Sequence, residues 1–272
     1  MINRSMRWSA ALLALTTSLG VLRAEQSEEL LKHLTVAEGL TVSVWARAPM
    51  FFNPTGMDVD DRGRIWISEA VNYRGFNSRK KERHWHDDGD RIVILEDTDN
   101  DGRADASKVF VQDKDLVAPL GVTVVGDRVL VSCSPHLLIY TKNDKDEVVK
   151  KEVFLTGWGG LDHDHSLHKA EVGPDGRWYL NAGNAGPHVV KGSDGWTLRV
   201  GSVYRGGSPH NKTNTSGLVS DDGRAYTSGV LVSIRPDGTD MRVVGHNYRN
   251  PYGHGLDSFG NVWMNDNDDT QS

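Results

Sequence analysis

The sequence predicts an all-β protein and, within that class, a β-propeller. A hairpin-like phrase recurs four times, each copy has a tight turn rich in Gly with Asp or Ser, and polar segments of variable length separate the copies. Each copy is typical of two strands joined by a short turn. Hairpins repeated on the scale of a domain are typical of propeller blades. The copies span residues 57–68, 122–132, 170–181 and 256–265.

Residues 1–24 predict a secretory signal peptide, which favours a periplasmic or secreted protein. Arg4 and Arg7 precede an apolar run that ends at Leu22, and Ala24 offers a small residue for cleavage. An uncleaved anchor is the alternative, although the run is short for a membrane span. Cleavage would remove three arginines and no acids, so the formal charge would fall from −6 to −9. This charge argues against a nucleic-acid partner, and we expect no membrane span in the mature chain.

Residues 25–35 predict an N-terminal tether, and residues 36–272 predict the propeller domain. Within the domain, LTVSVWARAP (40–49) alternates like a half-buried strand. Residues 72–90 are polar and aperiodic, which predicts a long surface loop. Residues 183–228 are rich in Gly, Ser, Asn and His, and they are too long for a simple turn.

About four blades are present, and the fourth is incomplete. After the loop 72–90 the strand pattern resumes at RIVILE, and ASKVFVQ, RVLVSC and HLLIYTK supply further strands around the second repeat. The last phrase is followed only by DNDDTQS. Since propellers have roughly four to eight blades and must close their ring, we expect this chain to be a piece of a longer protein.

An acidic loop follows the strand RIVILE and predicts a structural calcium site. Its carboxylates, at positions one, three, five and nine of the loop, are Asp97, Asp99, Asp101 and Asp105. Hard oxygen ligands at this spacing suit calcium. Position twelve is Lys108, where an EF-hand would have Glu. The alternative is an acidic turn without metal.

A second cluster precedes the third hairpin and predicts a general base or a metal site. It consists of Asp162, His163, Asp164, His165 and His168. In a strand, His163 and His165 would share one face and the two aspartates the other. The alternative is a polar lining that bonds buried backbone.

Three further features carry weaker signals. Arg249 lies in HNYRNPYGH (246–254) and offers a rigid fork of donors for carboxylates, or else pairs with loop acids. The segment His84 to Asp88 has metal-binding residue types but is more typical of a solvated loop. The single cysteine, Cys133, lies in an apolar strand, which favours a buried thiol.

The motifs together resemble a known family. GLDHDHSLHKAEVGPDGRWYLNAGNAG (160–186) and YRNPYGHGLDSFGNVW (248–263) resemble the soluble pyrroloquinoline quinone (PQQ) glucose and aldose-sugar dehydrogenases, which are six-bladed propellers. With LEDTDNDGRAD (95–105), the chain is more similar to the N-terminal propeller of the membrane-bound dehydrogenases of planctomycetes and verrucomicrobia. Those proteins often continue into a cytochrome c domain. The likeness covers roughly residues 36–266.

The resemblance implies site residues. His165 lies eight residues before Gly173 of GPDG, where the family has its catalytic base. Arg249 and Asn250 match the pair that contacts the quinone. The family's aspartate beside the base is replaced here by Asn184, which cannot stabilise an imidazolium as a carboxylate does. Asp162 and Asp164 are possible substitutes, and we assign Asp164 a catalytic role. We assign His163 and Asn184 to cofactor contact.

Three functions remain open from the sequence. The first is a periplasmic quinoprotein-like dehydrogenase that oxidises a sugar or other alcohol with PQQ and passes electrons to a cytochrome. The second is a non-catalytic, calcium-stabilised propeller that binds a glycan or a protein partner, since fold does not guarantee chemistry. The third, a metal-dependent lactonase, needs ligands converging from several blades.

Overall fold

The structure is a computed structural model that describes residues 29, 31–75, 85–202 and 215–267. The predicted signal peptide and part of the predicted tether lie outside these residues. The described residues contain 17 β-strands. In chain order they are β1 (Pro54–Val59), β2 (Ile65–Glu69), β3 (Arg91–Glu96), β4 (Ala106–Gln112), β5 (Gly121–Val125), β6 (Arg128–Cys133), β7 (His136–Lys142), β8 (Val148–Thr156), β9 (Leu167–Val172), β10 (Trp178–Ala182), β11 (His188–Lys191), β12 (Thr197–Gly201), β13 (Tyr226–Thr227), β14 (Gly229–Ile234), β15 (Arg242–Tyr248), β16 (His254–Leu256) and β17 (Val262–Met264).

The strands form three complete blades and the hairpin of a fourth. Blade 1 is the sheet β1-β2-β3-β4, and blade 2 is β5-β6-β7-β8. Blade 3 has the order β15-β14-β10-β9, and β16-β17 form a two-stranded sheet. The four repeated phrases are the hairpins β1/β2, β5/β6, β9/β10 and β16/β17. The predicted all-β, partial propeller is therefore confirmed.

An aspartate at the start of the turn organises two of these hairpins in the same way. Asp60 accepts hydrogen bonds from the Arg64 amide at 2.9 Å and from Trp66 Nε1 at 2.9 Å. Asp257 accepts from the Asn261 amide at 2.9 Å and from Trp263 Nε1 at 3.2 Å. Asp residues stabilise turns by bonding nearby backbone amides. Here the same carboxylate also fixes the aromatic residue six positions later.

The core lies between the faces of successive blades. Trp66 and Phe110 of blade 1 meet edge to face, with ring centroids 4.9 Å apart, and pack with Leu138 of blade 2. A second cluster joins Leu137 of blade 2 to Trp178 of blade 3. Blade 1 has buried apolar residues on both faces, as expected for a sheet packed on both sides.

The inner strands of the first three blades approach one another closely. A Cβ on Gly56 would lie 2.9 Å from the Gly121 Cα, and a Cβ on Gly121 would lie 2.5 Å from the Lys169 Cα. Real Cβ atoms do not approach other atoms so closely, so these two positions require glycine. The starts of β1, β5 and β9 therefore lie together at one end of the blades.

We call this end the site mouth. Its described residues are those of the connections between strands at this end: 70–75, 85–90, 113–120, 157–166, 183–187 and 249–253. The hairpin turns and the acidic loop 97–105 lie at the opposite end, because each blade strand runs between the two ends. A strand of five or six residues spans about 17–20 Å.

Two expectations from the sequence need correction. Residues 40–49 form no strand; Trp45 and Ala46 instead pack against a cluster on the outer face of blade 1. The segment 72–90 is not wholly at the surface, because Asn72 and Asp90 are buried. The segment 183–228, which the sequence marks as too long for a simple turn, contains among its described residues a separate three-stranded sheet, β11-β12-β13, with β12 and β13 parallel.

Candidate functional site

His165 lies at the site mouth, bonded to Asn184. Its Nδ1 is 2.7 Å from Asn184 Oδ1, and the residue is 5% exposed. Because an amide oxygen only accepts, Nδ1 carries the proton and Nε2 holds the lone pair. The residues 162–165 form turns before β9 rather than part of a strand. The structure therefore brings together His165 and Asn184, the two residues that the sequence predicts to lie at the site.

The turn that carries Asn184 is fixed by its own backbone. The Asn184 amide donates to the Arg249 carbonyl at 2.8 Å, and the Ala185 amide donates to the His165 carbonyl at 3.0 Å. Ser202 Oγ donates to the Asn184 carbonyl at 2.6 Å. The contact between His165 and Asn184 is thus supported from several sides.

Arg249 and Asn250 lie beside this turn, between β15 and β16. The half-buried Arg249 and the buried Asn250 both donate backbone amides to the Asp266 carboxylate, at 2.9 Å and 2.8 Å. A Cβ on Gly183 would lie 2.5 Å from Asn250 Oδ1, so glycine at 183 permits this approach. The structure thus brings the predicted quinone-binding pair next to His165 and Asn184.

The Asn250 side chain is held by a buried histidine. His168 Nε2 lies 2.8 Å from Asn250 Oδ1, and burial lowers the pKa of His168 to about 4. The His168 ring also packs against Tyr252 at 4.5 Å. Since Asn250 Oδ1 accepts from His168, the amide NH₂ of Asn250 is the group that can donate to a ligand.

His163 and the two aspartates do not contact His165 at Nδ1. His163 Nδ1 accepts from the backbone amide of His165 at 3.0 Å, and burial lowers the His163 pKa to about 4. Asp164 forms an ion pair with Arg74 at 3.0 Å. Asp162 accepts from the amides of Arg74 and Gly75 at 2.6 Å and 2.7 Å. These contacts dock a blade 1 connection onto the blade 3 loop.

Sequence reasoning did not identify Tyr73 and Arg74 as part of the mouth. The Arg74 guanidinium lies 5.0 Å from the Tyr73 ring. Burial, with the nearby Asp164 carboxylate, raises the pKa of Tyr73. Arg74 lies 88 and 90 positions from its partners Asp162 and Asp164 in the chain, so no local signal marks it.

The acidic loop lies at the opposite end of blade 1. Carboxylate oxygens of Asp97, Asp99 and Asp101 lie within 4.8 Å of one another. The fourth predicted ligand, Asp105, instead accepts from Thr98 Oγ1 at 2.6 Å and from the Thr98 amide at 3.0 Å. Gly102, with φ of 87°, allows the bend that the sequence predicts.

The remaining candidate residues are hydrogen-bonded or buried within the fold. The His86 amide donates to Asn72 Oδ1 at 2.9 Å, and the Asn72 amide group donates to the His86 carbonyl at 2.7 Å. Cys133 is buried, and burial raises the pKa of its thiol to about 12. His84 lies outside the described residues. Among the described residues, we find no helix that is long and apolar enough to span a bilayer.

Comparison with known proteins places the chain in a family and supports its fold. Residues 26–205 match the family described as a domain of unknown function (DUF7133), and the chain belongs to this family. No curated protein matches the sequence.

Three solved structures are similar. The holo form of the pyranose dehydrogenase PQQ domain from Coprinopsis cinerea is 17% identical, with a TM-score of 0.52, over 85% of this chain and 47% of that one. A nidogen/laminin complex is 12% identical with a TM-score of 0.46, over 78% of this chain and 56% of that one. Virginiamycin B lyase from Staphylococcus aureus is 15% identical with a TM-score of 0.38, over 78% of this chain and 62% of that one. The first of these similarities supports the propeller fold alone, and this chain spans about half the length of that domain.

Proposed function

We propose that this chain contributes the base and part of the cofactor site of a quinoprotein-like dehydrogenase that oxidises a sugar or another alcohol. The observation that carries the proposal is the hydrogen bond from His165 Nδ1 to Asn184 Oδ1, with Arg249 and Asn250 adjoining the same turn. A histidine with a fixed tautomer at a propeller mouth is equipped to take a proton from a hydroxyl group.

The residues present fit PQQ, a planar quinone with three carboxylates. Arg249 supplies a guanidinium for a carboxylate, and the Asn250 amide NH₂ supplies a donor for a carbonyl or carboxylate oxygen. When bound, PQQ would supply the two-electron acceptor for oxidation of the substrate carbon. The protein supplies position and a base.

The chain's own residues then perform the proton transfer. Asn184 accepts from Nδ1, so Nε2 is the atom of His165 that would take the substrate hydroxyl proton. Since Asn184 is neutral, it orients the ring but stabilises the resulting imidazolium less than a carboxylate would. Electrons would pass to a cytochrome c domain or protein, and the signal-like residues 1–24 would direct the protein to the periplasm.

The specific relationship to the membrane-bound dehydrogenases of planctomycetes and verrucomicrobia belongs to the same proposal. So does a structural calcium ion at Asp97, Asp99 and Asp101, whose oxygens cluster as a hard cation requires. This site lies at the end of blade 1 away from His165, so we assign calcium a role in stability.

The test measures PQQ binding and sugar-dependent dye reduction in the same preparations. We expect His165→Ala to bind PQQ normally and to lose roughly 10²- to 10⁴-fold in turnover, the usual contribution of a general base. Arg249→Lys should weaken PQQ binding, because lysine cannot reproduce the two-pronged contact. His246→Ala, which changes an exposed histidine of β15, is the matched control.

Two outcomes would overturn the proposal. If His165→Ala retains wild-type dye reduction, His165 is not the base. If the wild-type protein binds no PQQ but shows saturable affinity for a glycan or a protein, the non-catalytic alternative is correct. The neutral Asn184 beside His165 is the observation that favours that alternative.

A further inference from the structure

We propose that His188 is a positioning residue that holds Asn184 against His165; the proposal rests on the function proposed above for His165. His188 is fully buried at the start of β11, in the segment between the two halves of blade 3. It does not belong to any motif of the site, and it lies four residues after Asn184.

Both ring nitrogens of His188 bond to backbone, in two different segments. Nε2 lies 2.9 Å from the Gly183 carbonyl, and Nδ1 accepts from the Gly159 amide at 2.9 Å. A carbonyl only accepts and an amide N–H only donates, so the tautomer is fixed with the proton on Nε2. His188 therefore connects the segment before the His165 loop to the turn that carries Asn184.

Each of the two segments leads directly to one partner of the catalytic hydrogen bond. On one side, Gly159 precedes Gly160, whose carbonyl accepts from the His163 amide at 3.1 Å, and His163 Nδ1 accepts from the His165 amide at 3.0 Å. On the other side, Gly183 precedes Asn184. The His188 ring therefore helps to fix the spacing of the two segments, together with the direct bond from the Ala185 amide to the His165 carbonyl at 3.0 Å.

The packing around His188 makes this connection rigid. The Trp158 ring lies 5.7 Å from the His188 ring. A Cβ on Gly159 would lie 2.6 Å from the carbonyl oxygens of Ala185 and Pro187, so the two segments are in direct backbone contact. Burial lowers the pKa of His188 to about 4, which keeps the ring neutral and both bonds intact near neutral pH.

An apolar residue could fill the volume of His188 but could not perform this role. It would leave the Gly183 carbonyl and the Gly159 amide buried without a partner, and such groups are costly to leave unpaired. Substitution of His188 by Gln or by Asn tests the two hydrogen bonds one at a time. The Gln side-chain nitrogen can occupy the place of Nε2 and donate to Gly183, while the Asn side-chain oxygen can occupy the place of Nδ1 and accept from Gly159.

The experiment compares His188→Gln, His188→Asn and His188→Phe by NMR of ¹⁵N-histidine-labelled protein. The reporter is the proton on His165 Nδ1, which the hydrogen bond to Asn184 protects from exchange with water. We expect this resonance to persist in His188→Gln, which keeps the bond to the Asn184 turn. It should broaden beyond detection in His188→Asn and His188→Phe. His246→Gln is the control for loss of an exposed histidine.

The proposal would be overturned if the His165 Nδ1 resonance persisted in all folded variants. It would also be overturned if His188→Gln and His188→Asn lost the resonance equally, because His188 would then have a purely structural role. If the variants do not fold, the ¹⁵N shifts of wild-type His188 decide: a proton on Nε2 at neutral pH supports the connection, and a proton on Nδ1 excludes it. The measurement needs no quinone, so its outcome is separate from that of the dehydrogenase test.

Discussion

At the scale of the residue, Asn184 determines how the His165 ring is oriented. The bond between them measures 2.7 Å, and an amide oxygen orients the ring without contributing charge. In a histidine paired with a carboxylate, the carboxylate both orients the imidazole and stabilises the imidazolium. Asp162 and Asp164 do not take over this role at Nδ1, because Asp162 accepts from the Arg74 and Gly75 amides and Asp164 pairs with Arg74.

We therefore expect Asn184→Asp to increase the turnover of sugar oxidation, by on the order of 10²-fold, because a carboxylate stabilises the protonated base in the transition state. The measurement is the dye-linked rate at saturating PQQ and substrate. Asn181→Asp is unsuitable as a control because Asn181 is buried and bonds His254. Asn100→Asp, in the exposed loop at the opposite end of blade 1 from His165, is suitable. A rate that falls or stays unchanged would show that charge beside His165 does not limit the reaction.

The sequence predicted part of this site and missed the rest for a physical reason. His165, Arg249 and Asn250 were identified from motifs that resemble a family. The structure brings them together across 84 positions of sequence, since the Asn184 amide bonds the Arg249 carbonyl. His188 gave no signal, because a histidine that bonds two backbone groups cannot be distinguished from any other loop histidine before its partners are known.

At the scale of the element, the hairpins were predictable because their information is local. An aspartate, a glycine and an aromatic residue within about ten positions set the turn and the following strand. The pairing of β10 with β14 was not predictable, because the sheet β11-β12-β13 separates these neighbours in the sequence. Residues 40–49 have the alternation of a strand, but among the described residues they have no strand partner.

Gly121 provides a test of how closely the inner strands pack. We expect Gly121→Ala to destabilise the fold by about 1–3 kcal/mol or more, because its Cβ would lie 2.5 Å from the Lys169 Cα and the backbone would have to shift. Gly255 lies in the first strand of the fourth hairpin, and a Cβ placed there would meet no described atom within 4 Å, so Gly255→Ala is the matched control. The measurement is urea denaturation; equal effects in the two variants would contradict the packing argument.

The acidic loop provides a second test at this scale. If Asp97, Asp99 and Asp101 bind calcium, a concentration of 100 times Kd should stabilise the protein by about 2.7 kcal/mol, which corresponds to a rise in Tm of roughly 5–10 °C. Asp99→Ala, which removes a ligand oxygen, should abolish the rise while leaving Tm in EDTA unchanged, because the exposed Asp99 accepts only a 3.3 Å bond from the Asp101 amide. Asp127→Ala, in another exposed turn, should respond to calcium like wild type. A Tm that calcium does not change would contradict the site.

At the scale of the whole molecule, buried polar groups join the blades as well as the apolar core. Arg64 of blade 1 binds both oxygens of Asp146 of blade 2, at 2.6 Å and 3.2 Å. Hydrogen bonds from Arg64 lower the pKa of Asp146 to about 2. Since the folded pKa lies below the usual value of 3.8, this contribution is present above pH 4 and is lost only as the pH falls towards 2.

The buried histidines act on stability in a higher pH range. Burial lowers the pKa values of His163, His168 and His188 to about 4, from the usual value of 6.5. Between these two values the unfolded chain binds more protons than the folded one, so the free energy of unfolding should fall as the pH drops from 6.5 to 4. Asp90 opposes this trend, because burial raises its pKa to about 7 and its contribution is lost as the pH rises.

We expect the effect of the histidines to outweigh that of the single aspartate. The free energy of unfolding should therefore increase by a few kcal/mol between pH 4.5 and pH 6.5, since a shift of one pKa unit in one group corresponds to about 1.4 kcal/mol. Urea denaturation at intervals across this range measures the slope. Glutamine in His168→Gln can still donate to Asn250. The slope of the unfolding free energy against pH should decrease in this variant by about the contribution of one proton, because one buried titrating group is gone. His246→Gln, at an exposed position, should leave the slope unchanged. A profile that is flat in wild type, or a slope that His168→Gln does not reduce, would show that these histidines are not held neutral by the fold.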